Sequence, residues 1–356
     1  MTDRAQRLAE LLQRDGLDAL LVTAPVNVRW LTGFTGSAGI AVVSPGGTCR
    51  FITDFRYEQQ AAAQLGDGWA IEIAKQDLLK HFAGSVAAPL KLGFDDGQVP
   101  VKQHAALAEL LEGVELVAAG GLVESLREIK DAGEIEAIRA ATQLADTALR
   151  EVLERGLGGR SERDVALDLE FTVRRLGAEA VSFDPIVAHG GHGALPHAVP
   201  RDVAIEAGTL CVIDWGAHLD GYASDCTRTY AVGEPSPGDR EIYDLVLAAQ
   251  LESLAEVLPG ASGKAIDAVA RDVITSAGHG DHFGHGLGHG VGAEIHEEPR
   301  LSQRSDSILK PGMVVTVEPG IYVPGQVGVR IEDLVVVTAD GRDVLTSLPK
   351  TLTVID

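Results

Sequence analysis

The sequence has few basic residues and no long apolar run. Its 356 residues include 30 Lys and Arg against 52 Asp and Glu, which gives a formal net charge of −22. Because polyanions are bound through clustered basic side chains, this balance excludes nucleic acid and an anionic membrane surface as partners. Charges or glycines interrupt the apolar stretches well short of the roughly 20 residues that a membrane span needs.

The sequence is also poor in cysteine. Cys49, Cys211 and Cys226 form neither a disulfide framework nor a CxxC metal motif. Residues 1–22 place leucines between charged side chains, which predicts an amphipathic helix that leads into a strand and not a signal peptide. We therefore expect a cytoplasmic protein with reduced thiols.

Length and local pattern predict two domains, since a domain has roughly 100 to 200 residues. Residues 1–122 alternate between helical and strand patterns, with glycines at the turns, which predicts a smaller α/β domain. The predicted elements are a helix at 3–14, strands at 18–23, 40–44 and 49–53, and a helix from Arg56. The pattern changes at Gly120 and Gly121, so the boundary is placed at 122.

Residues 123–356 predict a mixed α+β domain with hairpins. Helical periodicity runs over 124–155, and SERD predicts a helix that is N-capped by Ser161. Further elements are predicted at 238–258 and 262–276 (helices) and at 209–216, 222–232, 313–322 and 328–338 (strands).

Two of these hairpins each carry a pair of acidic residues. In the first, a turn centred on Leu219 and Asp220 makes positions that sum to 439 face each other, which places Asp214 opposite Asp225. In the second, a turn centred on Gly325 makes positions that sum to 650 face each other. That register places Glu318 opposite Glu332.

Opposed carboxylates in apolar runs such as CVID and VVTVE are unfavourable unless a positive charge lies between them. Arg330 is near in sequence, but one guanidinium does not balance four carboxylates. A surface position or an ion pair explains any one of these acids. The two pairs together favour two divalent cations such as Mn²⁺, Mg²⁺ or Zn²⁺, which accept oxygen ligands.

Histidines supply further candidate ligands. The spacing of His285 and His289 in HGLGH differs from the zinc motif HExxH because the glutamate is missing. The glycines disfavour a helix, so the segment is predicted to be extended or looped. In an extended segment the two histidines share a face, so that one can bind metal while the other faces substrate. Eight of the eleven histidines fall in two glycine-rich stretches, namely His189, His192, His197, His279, His282, His285, His289 and His296.

The acids and His289 occur in the order Asp214, Asp225, His289, Glu318, Glu332, within LPHAVP, GHGLGHGVG, VEPGIY and VRIED. This pattern resembles the Xaa-Pro peptidases, prolidase and aminopeptidase P, which are M24 metallopeptidases. The segments WLTGFTGSAGIAVV and FITDFRY resemble the N-terminal domain of that family. The resemblance implies a pita-bread (creatinase/aminopeptidase-like) catalytic domain, preceded by a smaller creatinase-like α/β domain for substrate access and dimerisation.

The resemblance also implies the metal centre. The five residues above would hold two divalent ions per subunit, with Mn²⁺ expected and Zn²⁺ or Co²⁺ as alternatives. A hydroxide that bridges the ions would attack the Xaa-Pro bond, and Glu318 would shuttle the proton. The expected partners are small peptides with proline in second position and a second copy of the chain in a homodimer.

Four further residues are assigned by the same resemblance. His197, His285 and His296 would position the peptide and stabilise the oxyanion, and Arg330 would orient Asp214. Phe183 is a candidate for the proline slot, with simple core packing as the alternative.

Arg300, four residues after His296, decides between two activities. A dipeptidase needs a group to capture the proline carboxylate, ideally an arginine. Arg300 occupies the position of such an arginine in prolidases, which favours the dipeptidase, although a surface arginine without a ligand is the alternative. The TGFTGSAG segment is more similar to aminopeptidase P, whose substrates continue beyond proline.

Overall fold

The structure is a computed structural model that describes residues 3–46, 49–75, 77–88 and 90–356. The chain divides into two compact units, Met1–Arg127 and Glu128–Asp356. None of the described helices has both the length and the apolar character to cross a lipid bilayer.

The first unit contains a mixed sheet with the strand order β4-β3-β2-β1-β5-β6, in which β1–β2 and β2–β3 are antiparallel. Its helices are α1 Asp3–Asp15, α2 Pro25–Thr32, α3 Glu58–Gln64, α4 Leu78–Ala83, α5 Val101–Leu110 and α6 Leu122–Arg127. Its strands are β1 Ala19–Val22, β2 Gly39–Val43, β3 Cys49–Asp54, β4 Ala70–Ala74, β5 Leu90–Phe94 and β6 Val114–Ala118. The α/β prediction for this part of the chain is confirmed.

The first unit ends after α6 and not at residue 122. Val123 and Leu126 of α6 are buried in the same core as Leu8 and Leu12 of α1. Burial of these leucines on one face of α1 confirms the amphipathic helix. The division between the units therefore lies between Arg127 and Glu128.

The second unit is the predicted mixed α+β domain. Its helices are α7 Ala132–Leu153, α8 Glu162–Arg175, α9 Pro237–Ala255 and α10 Gly263–Ser276. Its strands are β7 Ala180–Val181, β8 Ile186–His189, β9 Thr209–Trp215, β10 Ala217–Leu219, β11 Tyr222–Ala223, β12 Cys226–Val232, β13 Gly288–Gly290, β14 Glu297–Leu301, β15 Val314–Val317, β16 Gly320–Val323, β17 Val327–Arg330, β18 Asp333–Val337, β19 Arg342–Val344 and β20 Val354–Ile355.

Pairs of helices cover the strands of the second unit. Leu149 of α7 and Leu169 of α8 are buried in one core with Ile213 of β9. Val246 of α9 and Ile266 of α10 belong to a second buried core that includes residues of β15, β17 and β18. The Ser161 side chain accepts a hydrogen bond from the Asp164 N–H, so the predicted cap of α8 is confirmed.

The register of the first acidic hairpin differs from the prediction. Strands β9 and β12 place Asp214 opposite Thr227, so facing positions sum to 441 and not to 439. The turn is centred on Asp220 and Gly221, which both have positive φ (50° and 85°), as a two-residue Asp-Gly hairpin turn requires. Asp225, two residues before Thr227, is therefore a diagonal neighbour of Asp214 and not its direct partner.

The register of the second hairpin is confirmed. Gly320 pairs with Arg330 in β16–β17, and Val317 pairs with Asp333 in β15–β18, so facing positions sum to 650 on both sides. Glu318 and Glu332 lie in the short break between these strand pairs. There the Glu332 N–H donates to the Thr227 carbonyl, which joins the two hairpins at the level of the acidic residues.

A 3-10 turn at Gly190–Ala194 packs against β17 with no side chain between the two backbones. A Cβ atom added to Gly328 would collide with the carbonyl oxygen of Gly193. Glycine at position 328 therefore allows the turn and the hairpin to approach each other closely.

Gly328→Ala is expected to lower the free energy of unfolding by about 1–3 kcal/mol, because the new methyl group overpacks this contact. Urea or guanidinium denaturation would measure the change. Gly238→Ala is the matched control: it lies in α9, has only one ordinary contact near its Cβ position and gains helix propensity. Equal stabilities of the two variants would contradict the argument.

All three cysteines, Cys49, Cys211 and Cys226, are buried and free. Burial raises the pKa of the Cys211 and Cys226 thiols, so both remain protonated at neutral pH.

Candidate metal centre

Three carboxylates converge in the second unit where regular strands end or break. Asp214 lies near the end of β9, Asp225 precedes β12, and Glu332 lies between β17 and β18. One oxygen from each lies within 4.8 Å of the others. Such a group of buried acids is the kind of cluster that holds a metal ion in proteins.

Glu318 and His289 lie beside this cluster. The Nε2 atom of His289 is 3.3 Å from Oε1 of Glu318 and 3.5 Å from Oδ2 of Asp225. Its Nδ1 atom is 3.1 Å from the Gly290 carbonyl oxygen, to which it donates. With Nδ1 engaged by this carbonyl, Nε2 is the ring nitrogen that faces the acids and could bind a metal ion.

In two of the carboxylates, one oxygen accepts a hydrogen bond from a neighbouring side chain. Arg330 Nη2 donates to Oδ2 of Asp214 at 2.6 Å, and the Thr227 hydroxyl donates to Oε2 of Glu332 at 2.8 Å. Among the residues that the structure describes, Asp214 Oδ1 and Glu332 Oε1 are buried without a hydrogen-bond partner. Each acid thus keeps one oxygen available for another ligand.

The electrostatics of this arrangement favour a cation among the acids. Burial, together with the neighbouring carboxylates, raises the pKa of Asp225 and of Glu332 well above their ordinary values. Arg330 is one fixed positive charge beside four acids. Three kinds of observation therefore agree that the residues fit divalent metal ions: unpartnered oxygens, like-charge crowding and a set of oxygen donors with one imidazole.

A pocket of about 1090 Å³ opens onto the five proposed ligands. Six further predicted site residues also line it, namely Phe183, His197, His285, His296, Arg300 and Arg330. The pocket walls also include a loop at 195–200 and the exposed apolar side chains of Leu195 and Val199. The five proposed ligands therefore line a cavity large enough for a short peptide.

His285 lines the pocket, but both of its ring nitrogens already have partners. Nδ1 is 2.8 Å from the Gly286 carbonyl oxygen, and Nε2 is 3.0 Å from the Tyr322 hydroxyl, which accepts from Arg330. His285 lies in a loop before β13 and His289 lies in β13, so the glycine-rich segment is looped and then extended, and not helical. The sequence analysis did not identify Tyr322, although it ends the VEPGIY motif.

His296 and His197 are more accessible to a ligand. The His296 ring lies on that of His289, with centroids 4.4 Å apart. Burial lowers the pKa of His296, so the ring is neutral at neutral pH. His197 is exposed on the loop at 195–200.

Arg300 lies directly across the β13–β14 ladder from His289. Its Nε is 3.7 Å from Glu298 Oε1, and 43% of its side chain remains exposed. Arg300 thus presents a positive charge to the pocket at the level of a proposed metal ligand.

Four other histidines of the glycine-rich stretches do not line this pocket. His189 and His192 contact the buried carboxylate of Glu162. His279 and His282 contact each other, with their Nδ1 atoms 3.0 Å apart. The clustering of histidines in the sequence therefore overestimates the number at the metal centre.

Comparisons with known proteins agree with this architecture. Residues 136–339 match the model of metallopeptidase family M24, and residues 4–129 match the creatinase/prolidase N-terminal domain. The chain is 37% identical to an Xaa-Pro dipeptidase of Pyrococcus furiosus over 99% of this chain and 100% of that protein.

Two solved structures are similar over nearly the whole chain. An Xaa-Pro dipeptidase from Bacillus anthracis has a TM-score of 0.95 and 43% identity and covers 99% of both chains. An X-Pro aminopeptidase from Thermotoga maritima has a TM-score of 0.92 and 36% identity and covers 99% of this chain and 100% of that one. The predicted pita-bread fold is confirmed, and the chain belongs to metallopeptidase family M24.

Proposed function

We propose that the protein is an Xaa-Pro dipeptidase, which hydrolyses the bond between an N-terminal residue and a C-terminal proline. The observation that carries this proposal is the place of Arg300, which lines the pocket and lies across the ladder from His289. A guanidinium there can bind the carboxylate of a C-terminal proline through two parallel hydrogen bonds. The names of the Bacillus and Pyrococcus relatives support the same activity.

The proposed metal ligands are Asp214, Asp225, His289, Glu318 and Glu332. Two divalent ions, Mn²⁺ or alternatively Zn²⁺ or Co²⁺, would lower the pKa of a water molecule and polarise the scissile carbonyl when bound. Glu318 would hold the proton of that water; its Oε1 accepts from the Thr316 hydroxyl and lies 3.3 Å from His289 Nε2. The same carboxyl group would then donate the proton to the leaving proline nitrogen.

The pocket walls would position the peptide. His197 and His296 offer ring N–H groups that can donate to the developing negative charge on the carbonyl oxygen. His285 would help to position the peptide while its Nε2 remains in contact with the Tyr322 hydroxyl. Phe183, which is half-buried on the pocket wall, would contact the pyrrolidine ring. Proline lacks an amide N–H, so shape and apolar contact must replace the usual backbone hydrogen bond.

An aminopeptidase that acts on longer Xaa-Pro-Yaa peptides is the alternative. The similarity to the Thermotoga aminopeptidase favours it, as does the exposed apolar surface of Leu195 and Val199 at the pocket. Turnover of Ala-Pro and of Ala-Pro-Ala by the metal-loaded protein separates the two activities. Cleavage of the dipeptide supports our proposal, whereas cleavage of the tripeptide alone would establish the alternative.

Arg300→Ala is expected to reduce kcat/KM for Ala-Pro by roughly 10- to 100-fold, mainly through KM, because a charged hydrogen-bonded pair is lost. Any turnover of Ala-Pro-Ala should change little. Arg304→Ala, an exposed arginine outside the pocket lining, is the matched control. Equal effects of Arg300→Ala on both substrates would argue against carboxylate capture.

We further propose a cytoplasmic homodimer. Three free, buried cysteines are in keeping with a reducing compartment. The first unit, residues 1–127, is the proposed dimerisation and substrate-access domain. Light scattering would test the assembly by measuring the molar mass of the whole chain and of a shortened chain that lacks the first unit.

A further inference from the structure

A buried carboxylate that does not line the pocket accepts hydrogen bonds from residues at both ends of a loop in the pocket wall. Glu162 is the first residue of α8, and its side chain is fully buried. It faces the loop of residues 190–200, which we call the pocket loop. This loop contributes Leu195, Pro196, His197 and three further residues to the pocket lining.

At the beginning of the pocket loop, Glu162 accepts hydrogen bonds from two histidines. The backbone N–H and Nδ1 of His189 lie 3.1 and 2.8 Å from Oε1. His192 Nδ1 lies 2.9 Å from Oε2. Both histidine side chains are at least nine-tenths buried.

At the end of the loop, Arg201 binds the same carboxylate. Its backbone N–H, its Nε and its Nη2 each lie 3.0 Å from a Glu162 oxygen. Burial alone would raise the pKa of Glu162, but the hydrogen bonds from Arg201, His189 and His192 lower it to about 2. The acceptor is therefore fully ionised at neutral pH.

Between its ends the pocket loop is held mainly at residues 190–194, where the Gly193 backbone packs directly on Gly328. After that turn, the Pro196 carbonyl accepts from Arg330 at 3.3 Å, and the Ala198 N–H donates to the Leu195 carbonyl. His197 itself belongs to no helix or strand. Its place in the pocket thus depends on these contacts together with the way in which the two ends of the loop are held.

We propose that Glu162 is a positioning residue for the peptidase reaction, which fixes His197 in the pocket by joining His192 and Arg201 across the pocket loop. This inference rests on the proposed function. Glu162 does not line the pocket, and it acts only through the loop.

The test uses the full-length, metal-loaded protein and Ala-Pro as substrate. Arg201→Ala is the principal variant, because that side chain is 44% exposed and its loss leaves the core intact. Glu162→Gln is the second variant, and Arg163→Ala, an exposed arginine on the same helix, is the control. Each variant is combined with His197→Ala in a double-mutant cycle.

We expect Arg201→Ala and Glu162→Gln to lower kcat/KM by roughly 10- to 100-fold, as small misplacements of a catalytic group do. In the His197→Ala background the same changes should cause less than about a twofold further loss, since the affected group is already absent. Metal content should be unchanged. Independent, multiplicative losses in the cycle, or activity of Arg201→Ala equal to that of Arg163→Ala, would overturn the proposal.

Hydrogen–deuterium exchange gives a readout that does not depend on activity. Amides of residues 190–201 should exchange at least about 10-fold faster in Arg201→Ala, while those of β15–β18 keep their rates. Unchanged exchange in the pocket loop would overturn the positioning role even if the wild-type protein cleaves Xaa-Pro. Absence of wild-type cleavage, together with faster loop exchange, would instead reject the proposed function.

Discussion

Glu318→Gln is expected to reduce Xaa-Pro hydrolysis by about 1000-fold or more, the largest effect of any single substitution considered. The glutamine keeps the size of the side chain but removes the carboxylate that would hold and return the proton, a contribution worth about 10²- to 10⁴-fold. It also weakens the contact with His289 Nε2, which lies 3.3 Å from Oε1. Steady-state kinetics on Ala-Pro and metal analysis of the purified variant would measure both consequences.

Two comparisons make this prediction specific. Glu252→Gln on the exposed face of α9 removes the same charge far from the pocket lining and should leave kcat unchanged. Asp225→Asn removes a proposed ligand that has no proton-transfer role. Activity of Glu318→Gln within tenfold of wild type would rule out Glu318 as the proton shuttle.

Removal of metal by chelation is expected to abolish activity and lower the melting temperature. A ligand that binds only the folded state at about 100 times its Kd adds roughly 2.7 kcal/mol, which corresponds to about 5–10 °C for a domain of this size. Asp214 and Glu332 each have one buried oxygen without a hydrogen-bond partner among the described residues, and these proposed ligands would be left uncompensated when metal is removed. Thermal unfolding with and without added Mn²⁺, Zn²⁺ or Co²⁺ would show the shift.

The metal-free protein should also become less stable as pH rises. Burial and neighbouring carboxylates raise the folded-state pKa of Asp225 and Glu332, so the folded apoprotein retains protons that the unfolded chain has released. Their contribution is complete below the ordinary carboxyl pKa and is lost as pH rises through the raised values. Without metal, the melting temperature is expected to fall as pH rises above the ordinary carboxyl pKa, whereas with metal it is expected to stay constant. The same pH slope in both forms would contradict this account.

The sequence predicted the second hairpin correctly and the first one only in part. In the second hairpin, PGQ around Gly325 marks the turn, and apolar alternation on both sides leaves one register. In the first, Asp220-Gly221 is the stronger turn signal, since both residues take positive φ, and centring on it gives the observed register. The predicted turn centre was one position too early, so the prediction placed Asp225 directly opposite Asp214 and not diagonal to it. The two acids are nevertheless neighbours in the structure.

Contacts between distant segments lay beyond what the sequence could predict. Glu162 is one acid among many at a helix N-terminus, a place where acidic residues are common for helix stability alone. Its contacts with His192 and Arg201 depend on how the chain returns to α8 after β8. The hydrogen bonds between His285, Tyr322 and Arg330 likewise require the folded chain.

The glycine contact between residues 193 and 328 has a consequence for engineering the substrate range. Because the two backbones touch directly, the pocket loop cannot be exchanged for that of a relative as an independent module. A recipient with a side chain at position 328 would push the transplanted loop away from the strand that carries Arg330. Chimeric enzymes with altered peptide-length preference should therefore exchange residues 189–201 and 320–332 as a single unit.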